Sequence, residues 1–149
     1  MTAAKPEIFC LNGMDTLTSK QRSARMSMIR SKNSKFELAI RSRIHELGFR
    51  YRLHVPDLLG KPDLVFPSRK KIAFLHSCFW HGHGCRLSRM PKTKRRYWVN
   101  KIDGNRVRDG NVVRRLKNQG WRILVIWECE YRANLDKVVR RFIKFLEFN

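Results

Sequence analysis

The chain has 149 residues, and its 33 lysines and arginines against 12 aspartates and glutamates give a formal net charge of +21 and an isoelectric point near 11.0. The length fits a single folded domain, and a hydrophobic content of 42% excludes global disorder. The charge predicts a polyanionic partner rather than a membrane, because no apolar run approaches the roughly 20 residues of a spanning helix and no signal peptide opens the chain.

Without a secretory signal, Cys10, Cys78, Cys85 and Cys129 read as metal ligands or buried thiols in a cytoplasmic, nucleoid-associated protein. No internal repeat or Pro/Ser linker divides the chain. Residues 1–17 read as a flexible arm and 18–149 as one domain. Thr18 and Gln21 form a capping-box pattern that opens a short basic helix to about Arg30. Ser34 and Glu37 form another, followed by Phe36, Ile40, Ile44 and Leu47 on one face and a stop at Gly48, so a helix is predicted over 34–47. Arg50–Val55 reads as a strand. Asp63–Phe66 and Lys71–His76 read as two strands in a hairpin-like connection. Residues 77–104 look irregular and basic, and a helix is predicted over 105–119, ending at Gly120. Trp121–Trp127 is almost continuously apolar, as expected for a sheet centre covered on both faces. A last amphipathic helix spans 134–148. This order predicts an α/β fold with a central mixed sheet flanked by helices.

Several residues point to chemistry. Asp63 opens a buried strand, which is unfavourable unless a turn, a backbone N–H or a metal ion satisfies it. His76 ends the next strand and His81 follows closely. A carboxylate holding a divalent cation beside an imidazole suffices for phosphodiester hydrolysis, although either histidine alone reads as an ordinary strand-end residue. Glu37 already has a task as a cap, and can also face a metal site. His83, Cys85 and Cys129 supply three zinc-type ligands. The fourth can come from Cys78, Cys10, Asp109 or Asp103, and spacing does not choose among them. A buried thiol at Cys129 and an exposed His83 are the plain alternative. Phe79, Trp80, Tyr97 and Trp98 are interleaved with Arg86, Arg89, Lys92, Lys94, Arg95 and Arg96, a pattern suited to base stacking backed by phosphate contacts. Arg22, Arg25 and Met26 lie in a second basic zone, with Met26 as a further apolar wedge.

Taken together, Gly60-Lys61-Pro62-Asp63, the run from Cys78 to Cys85, Tyr97-Trp98, Asn105 with Asp109, and Trp121 to Cys129 resemble the very-short-patch repair (Vsr) endonucleases. The resemblance extends over roughly residues 17–147, in the same order. It implies a core like that of type II restriction endonucleases and a Mg²⁺-dependent nick 5′ to the mismatched thymine of a T:G pair in double-stranded DNA. It also implies monomeric action and stimulation by a MutL-type mismatch repair protein. In the same terms, Asp63 and the Leu75 carbonyl hold Mg²⁺, His81 is the general base, His76 lies near the scissile phosphate and Glu37 organises metal-bound water. His83, Cys85, Cys129 and Asp109 hold a structural Zn²⁺, while Phe79, Trp80 and Trp98 intercalate with Met26 opposite. The resemblance assigns no role to Gly82 or Gly84. The restriction-enzyme Glu-x-Lys pair is missing, and Phe74-Leu75-His76 stands in its place, which favours histidine chemistry. Two alternatives stay open: a nuclease that nicks at a fixed site without a mismatch, and a non-catalytic zinc-containing DNA-binding module.

Overall fold

A computed structural model describes residues 33–148 together with Thr18, Lys20, Gln21 and Ala24. The chain divides into two compact units, residues 1–30 and 31–149. In the first, the Thr18–Gln21 box closes: Thr18 N donates to Gln21 Oε1 at 3.0 Å, and Gln21 N donates to Thr18 Oγ1 at 3.2 Å. Arg22, Arg25 and Met26 lie outside the described residues.

The second unit starts with helix α1 (Lys35–Glu46). Ser34 is its N-cap and accepts from Glu37 N at 3.2 Å, while Glu37 Oε2 accepts from Asn33 N at 2.9 Å. Strand β1 (Leu64–Phe66) runs antiparallel to β2 (Lys71–His76), with Leu64 opposite Ala73 and a 3₁₀ turn at Pro67–Arg69 between them. Helix α2 (Arg95–Asn118) leads to β3 (Arg122–Trp127), which pairs parallel with β2, Lys71 opposite Arg122 and His76 opposite Trp127. Helices α3 (Glu128–Ala133) and α4 (Leu135–Glu147) close the chain. Three expectations need correction. The 50–55 segment contributes only an isolated bridge from Arg52 to Val65, α2 starts ten residues earlier than its sequence pattern indicates, and the strand at the sheet centre is β2 rather than β3.

The sheet order is β1-β2-β3, and its period-two alternation sorts side chains between two apolar layers. Leu64, Phe66, Ala73, Leu75, Leu124 and Ile126 face α1 and α4, where they meet Phe36, Ile40, Ile44, Val138, Phe142 and Leu146. Val65, Ile72 and Phe74 face α2 through Val112 and Leu116. β2 is therefore covered on both faces and all six of its residues are buried, whereas β3 at the edge is only partly so. Lys71 is buried at the start of β2. Its Nζ donates to the carbonyls of Leu146 at 3.0 Å and Phe148 at 3.1 Å, so a cation caps the last turn of α4, as the helix dipole favours.

The loop leading into Asp63 is clamped on α2. Gly60 has φ +77°, and a Cβ there would lie 2.4 Å from Val112 Cγ1, a stiff β-branched side chain on a buried helix face. Gly60→Ala is expected to destabilise the fold by about 1–3 kcal/mol, through the left-handed backbone and overpacking together. Thermal denaturation checks this, and an unchanged melting temperature would mean that the loop does not depend on this contact.

Candidate active site and metal centre

Both groups of chemical interest lie at the end of the sheet where β2 and β3 terminate side by side. Asp63 precedes β1, and its Oδ2 accepts the Leu75 amide at 2.7 Å. Burial pushes its carboxyl up to about 6; the Leu75 hydrogen bond opposes that, the negative charge of Glu37 adds to it, and Arg41 and His81 pull the other way. A half-buried carboxylate beside strand backbone is a donor set that suits a hard cation such as Mg²⁺, which accepts carboxylate, carbonyl and water oxygens. Glu37 is engaged on both oxygens: Oε1 accepts from Ser34 Oγ at 3.2 Å, and Oε2 accepts from Asn33 N at 2.9 Å and Arg41 Nη2 at 3.1 Å. The capping role expected of Glu37 is present.

His76 and His81 stack, ring centroids 3.8 Å apart and planes within 2°. Burial, reinforced by the neighbouring His81, lowers His76 to about 4, so His76 is neutral at physiological pH. His81 Nδ1 lies 2.6 Å from Asp109 Oδ2 on α2. An ionised carboxylate only accepts, so Nδ1 carries the hydrogen and the lone pair of a neutral His81 sits on Nε2. The nitrogen and carboxylate atoms of His76, His81 and Asp109 lie within 4.8 Å of one another, a spacing compatible with an ion. However, in-plane lone pairs of stacked rings lie in parallel planes and do not converge on one point. What the geometry shows is a hydrogen-bonded His81–Asp109 pair with His76 stacked on the imidazole.

A second group brings together Cys78, His83, Cys85 and Cys129, their ligand atoms also within 4.8 Å of one another. Cys129 Sγ is 3.4 Å from His83 Nδ1, close to the edge of about 3.5 Å expected of a zinc tetrahedron with bonds of roughly 2.0–2.3 Å. The donor set of three sulfurs and one imidazole nitrogen fits a structural zinc. Burial pushes Cys78 up to about 12, while the hydrogen bond from His83 pulls Cys85 down to about 6. His83, Cys85 and Cys129 thus come together as expected, but the fourth place belongs to Cys78. Asp109 is not in this group: its carboxylate is turned to His81, and the expectation that it binds zinc is corrected accordingly.

Between the two groups runs the loop 77–84, seated against α2. Asn105 Nδ2 donates to the Trp80 carbonyl at 2.9 Å. Gly82 has φ +60°, and a Cβ there would lie 2.6 Å from Ile102, so this glycine, given no role on sequence, is what lets the loop approach the helix. Ile102, Asn105 and Asp109 fall at i, i+3 and i+7, one face of α2. That spacing is the signal that would have placed Asp109 beside His81, and it shows only once the helix is extended back beyond Asn105. Phe79, Trp80 and Trp98 pack together, centroids 5.1–5.9 Å apart, with Tyr97 beside Trp98 at 5.2 Å and 59% exposed. Lys94 caps the helix with φ +51° and Arg95 begins it, so both cations adjoin the aromatic cluster in sequence and are exposed.

The model of the DNA mismatch endonuclease Vsr family matches residues 14–87. The type II nicking enzyme V.XorIIP of Xanthomonas oryzae pv. oryzae is 49% identical over 116 residues, 78% of this chain and 85% of that protein. The type II nicking enzyme V.NmeAIP of Neisseria meningitidis is 37% identical over 132 residues, 85% of this chain and 94% of that protein. The DNA mismatch endonuclease Vsr of Escherichia coli is 36% identical over 112 residues, 75% of this chain and 72% of that protein. The chain belongs to the Vsr family. It is a DNA endonuclease, and the resemblance read from its motifs holds. No described helix of this Vsr-family chain is long and apolar enough to cross a membrane.

Asp63→Asn removes a buried charge with little change in shape. With the folded carboxyl raised above its unfolded value of 3.8, the ionised form opposes folding above about pH 6 and the opposition fades as the pH falls toward 4. In cation-free buffer at pH 7.5 the variant is therefore expected to gain about 1–3 kcal/mol of stability, with the gain shrinking at pH 4. Equal melting temperatures at pH 7.5 would count against an unfavourable Asp63 charge.

Proposed function

We propose that this Vsr-family endonuclease nicks one strand of double-stranded DNA 5′ to the thymine of a T:G mismatch, of the kind left by deamination of 5-methylcytosine. The observation that carries the reading is the His81–Asp109 pair stacked on a neutral His76 next to the Asp63 carboxylate. It combines a poised base with a cation-type oxygen site in an otherwise strongly basic protein. In this reading the fold is a restriction-endonuclease-like core, residues 18–149 act as one domain behind a 1–17 arm, and the protein works as a cytoplasmic, nucleoid-associated monomer. A MutL-type protein is a candidate partner.

Asp63 and the Leu75 carbonyl would hold the Mg²⁺. When bound, Mg²⁺ supplies charge stabilisation at the scissile phosphate. His81 Nε2 takes the proton of the attacking water, and Asp109 holds the ring in the required tautomer and stabilises the imidazolium that forms. His76, neutral and stacked against His81, offers a hydrogen bond near the phosphate without adding charge. Glu37 would order water bound at that site. Phe79, Trp80 and Trp98 wedge beside the mismatch, Met26 is a further apolar wedge, and Arg22, Arg25, Lys94 and Arg95 bind phosphates. A wobble pair opens more easily than a Watson–Crick pair, so wedging discriminates through deformability. Cys78, His83, Cys85 and Cys129 would hold a structural Zn²⁺ that ties loop 77–84 to the start of α3.

A second reading, nicking at a fixed site without a mismatch, is favoured by the relatives named type II nicking enzymes. A strand-resolved assay in Mg²⁺ on matched duplexes carrying T:G, T:A or C:G decides between them. Cleavage 5′ of the T in T:G alone, abolished by Asp63→Ala, is expected; equal cutting of T:A would establish the second reading. Asp109→Asn should lower kcat by about 10²–10⁴ with little change in DNA affinity, because it supports the wrong tautomer of its histidine; a variant as fast as the parent would remove Asp109 from the mechanism. Metal analysis separates the two clusters: Cys78→Ser is expected to lose zinc and stability, and Asp109→Asn to keep both. Zinc loss from the Asp109 variant would restore aspartate as the fourth ligand.

A further inference from the structure

Of the described residues, Arg41 and Lys71 are buried cations without a task in the proposed mechanism, and Lys71 is accounted for by its cap on α4. Arg41 on α1 is only 5% exposed. Its Nη1 donates to Asn33 Oδ1 at 2.7 Å and its Nη2 to Glu37 Oε2 at 3.1 Å, while Nε is buried with no hydrogen-bond partner. Its backbone carbonyl accepts from Tyr51 Oη at 3.0 Å, which fixes α1 at this point from the other side. Capping does not require this arginine, since Ser34 and Glu37 already exchange bonds with backbone N–H groups. Burying a guanidinium with an orphaned N–H is unfavourable, and an apolar side chain of similar volume commonly serves a core as well. The charge therefore has a use other than packing. The carboxylate that uses it is Glu37, which it clamps at 3.1 Å.

We infer that Arg41 is a positioning residue of the nuclease centre, clamping Glu37 in place and offsetting its charge. The inference rests on the nuclease reading above. Its two halves separate experimentally. The planar fork spans Asn33 and Glu37 at once, which a lysine ammonium does not do, whereas lysine retains the positive charge. A positive charge near a cation site weakens cation binding, so removing it tightens binding even as the geometry loosens.

The test combines calorimetric titration of Mn²⁺ into zinc-replete protein with single-turnover nicking at saturating metal, for the parent chain, R41M, R41K and D63A. R41M is expected to bind Mn²⁺ about 3–10-fold tighter and to nick at least about 10-fold more slowly. R41K is expected to bind Mn²⁺ within about twofold of the parent yet to nick as slowly as R41M. Tighter metal with slower cleavage is a combination that a merely structural role does not produce. R41M matching the parent in both readouts would overturn the inference, as would a joint loss of affinity, rate and melting temperature. Should R41M not fold, R41K decides alone, and parental nicking by R41K would overturn the clamp. A parent chain with no metal-dependent nicking overturns the nuclease reading itself, a result distinct from an active parent with unaffected arginine variants.

Discussion

Parallel pairing of β2 with β3 is the constraint on which the rest of the molecule depends. Neighbouring parallel strands cannot be joined by a tight turn, so the chain must leave the sheet after His76 and return at Arg122 over a long crossover. That obligatory excursion carries most of the candidate site. The crossover contains the loop with Cys78, His81, His83 and Cys85, the aromatic cluster, and helix α2 carrying Asn105 and Asp109. Because α2 packs back on the sheet through Val112 and Leu116, the loop between strand and helix is trapped against both. The site is thus assembled from elements held by the core at either end.

Polar groups in this assembly are held at some expense to stability. Asp63 is half-buried with its carboxyl raised, His76 is buried and neutral, and Arg41 is buried with an unpaired nitrogen. Each is unfavourable for folding alone, and Asp63 and His76 lie at the end of the sheet where β2 and β3 terminate. By contrast, the charged groups at the opposite end of the sheet, such as Lys71, are matched to helix carbonyls and have a structural explanation. The two ends of the sheet thus differ in how their buried polar groups are matched.

Much of this architecture is legible in the sequence because it is local. The Thr18–Gln21 box closes and Ser34 caps Glu37 N as their spacing indicates, the β1–β2 hairpin turns at Pro67-Ser68-Arg69, and α4 follows its 3.6-residue apolar stripe. What failed was tertiary. Gly104 and Gly110 each disfavour a helix interior by about 1 kcal/mol, and the polar stretch before Asn105 has little apolar periodicity. Burial of Ile102, Val112 and Leu116 nevertheless carries α2 from Arg95 onward. The continuous apolar run of β3 signals two covered faces but not its position at the edge. Choosing between Cys78 and Asp109 at the metal group requires knowing which way α2 turns against the loop, a relation between segments that spacing does not encode.

Helix α2 also fixes a length. Trp98, in the aromatic cluster, and Asp109, the partner of His81, ride on the same rigid rod, and each residue inserted between them would rotate one relative to the other by about 100° and advance it by about 1.5 Å. The two loops that seat on this rod through Gly60 and Gly82 leave no slack to absorb such a shift. The spacing from Trp98 to Asp109 therefore behaves as a ruler: side chains along it can change, but insertions and deletions cannot accumulate there.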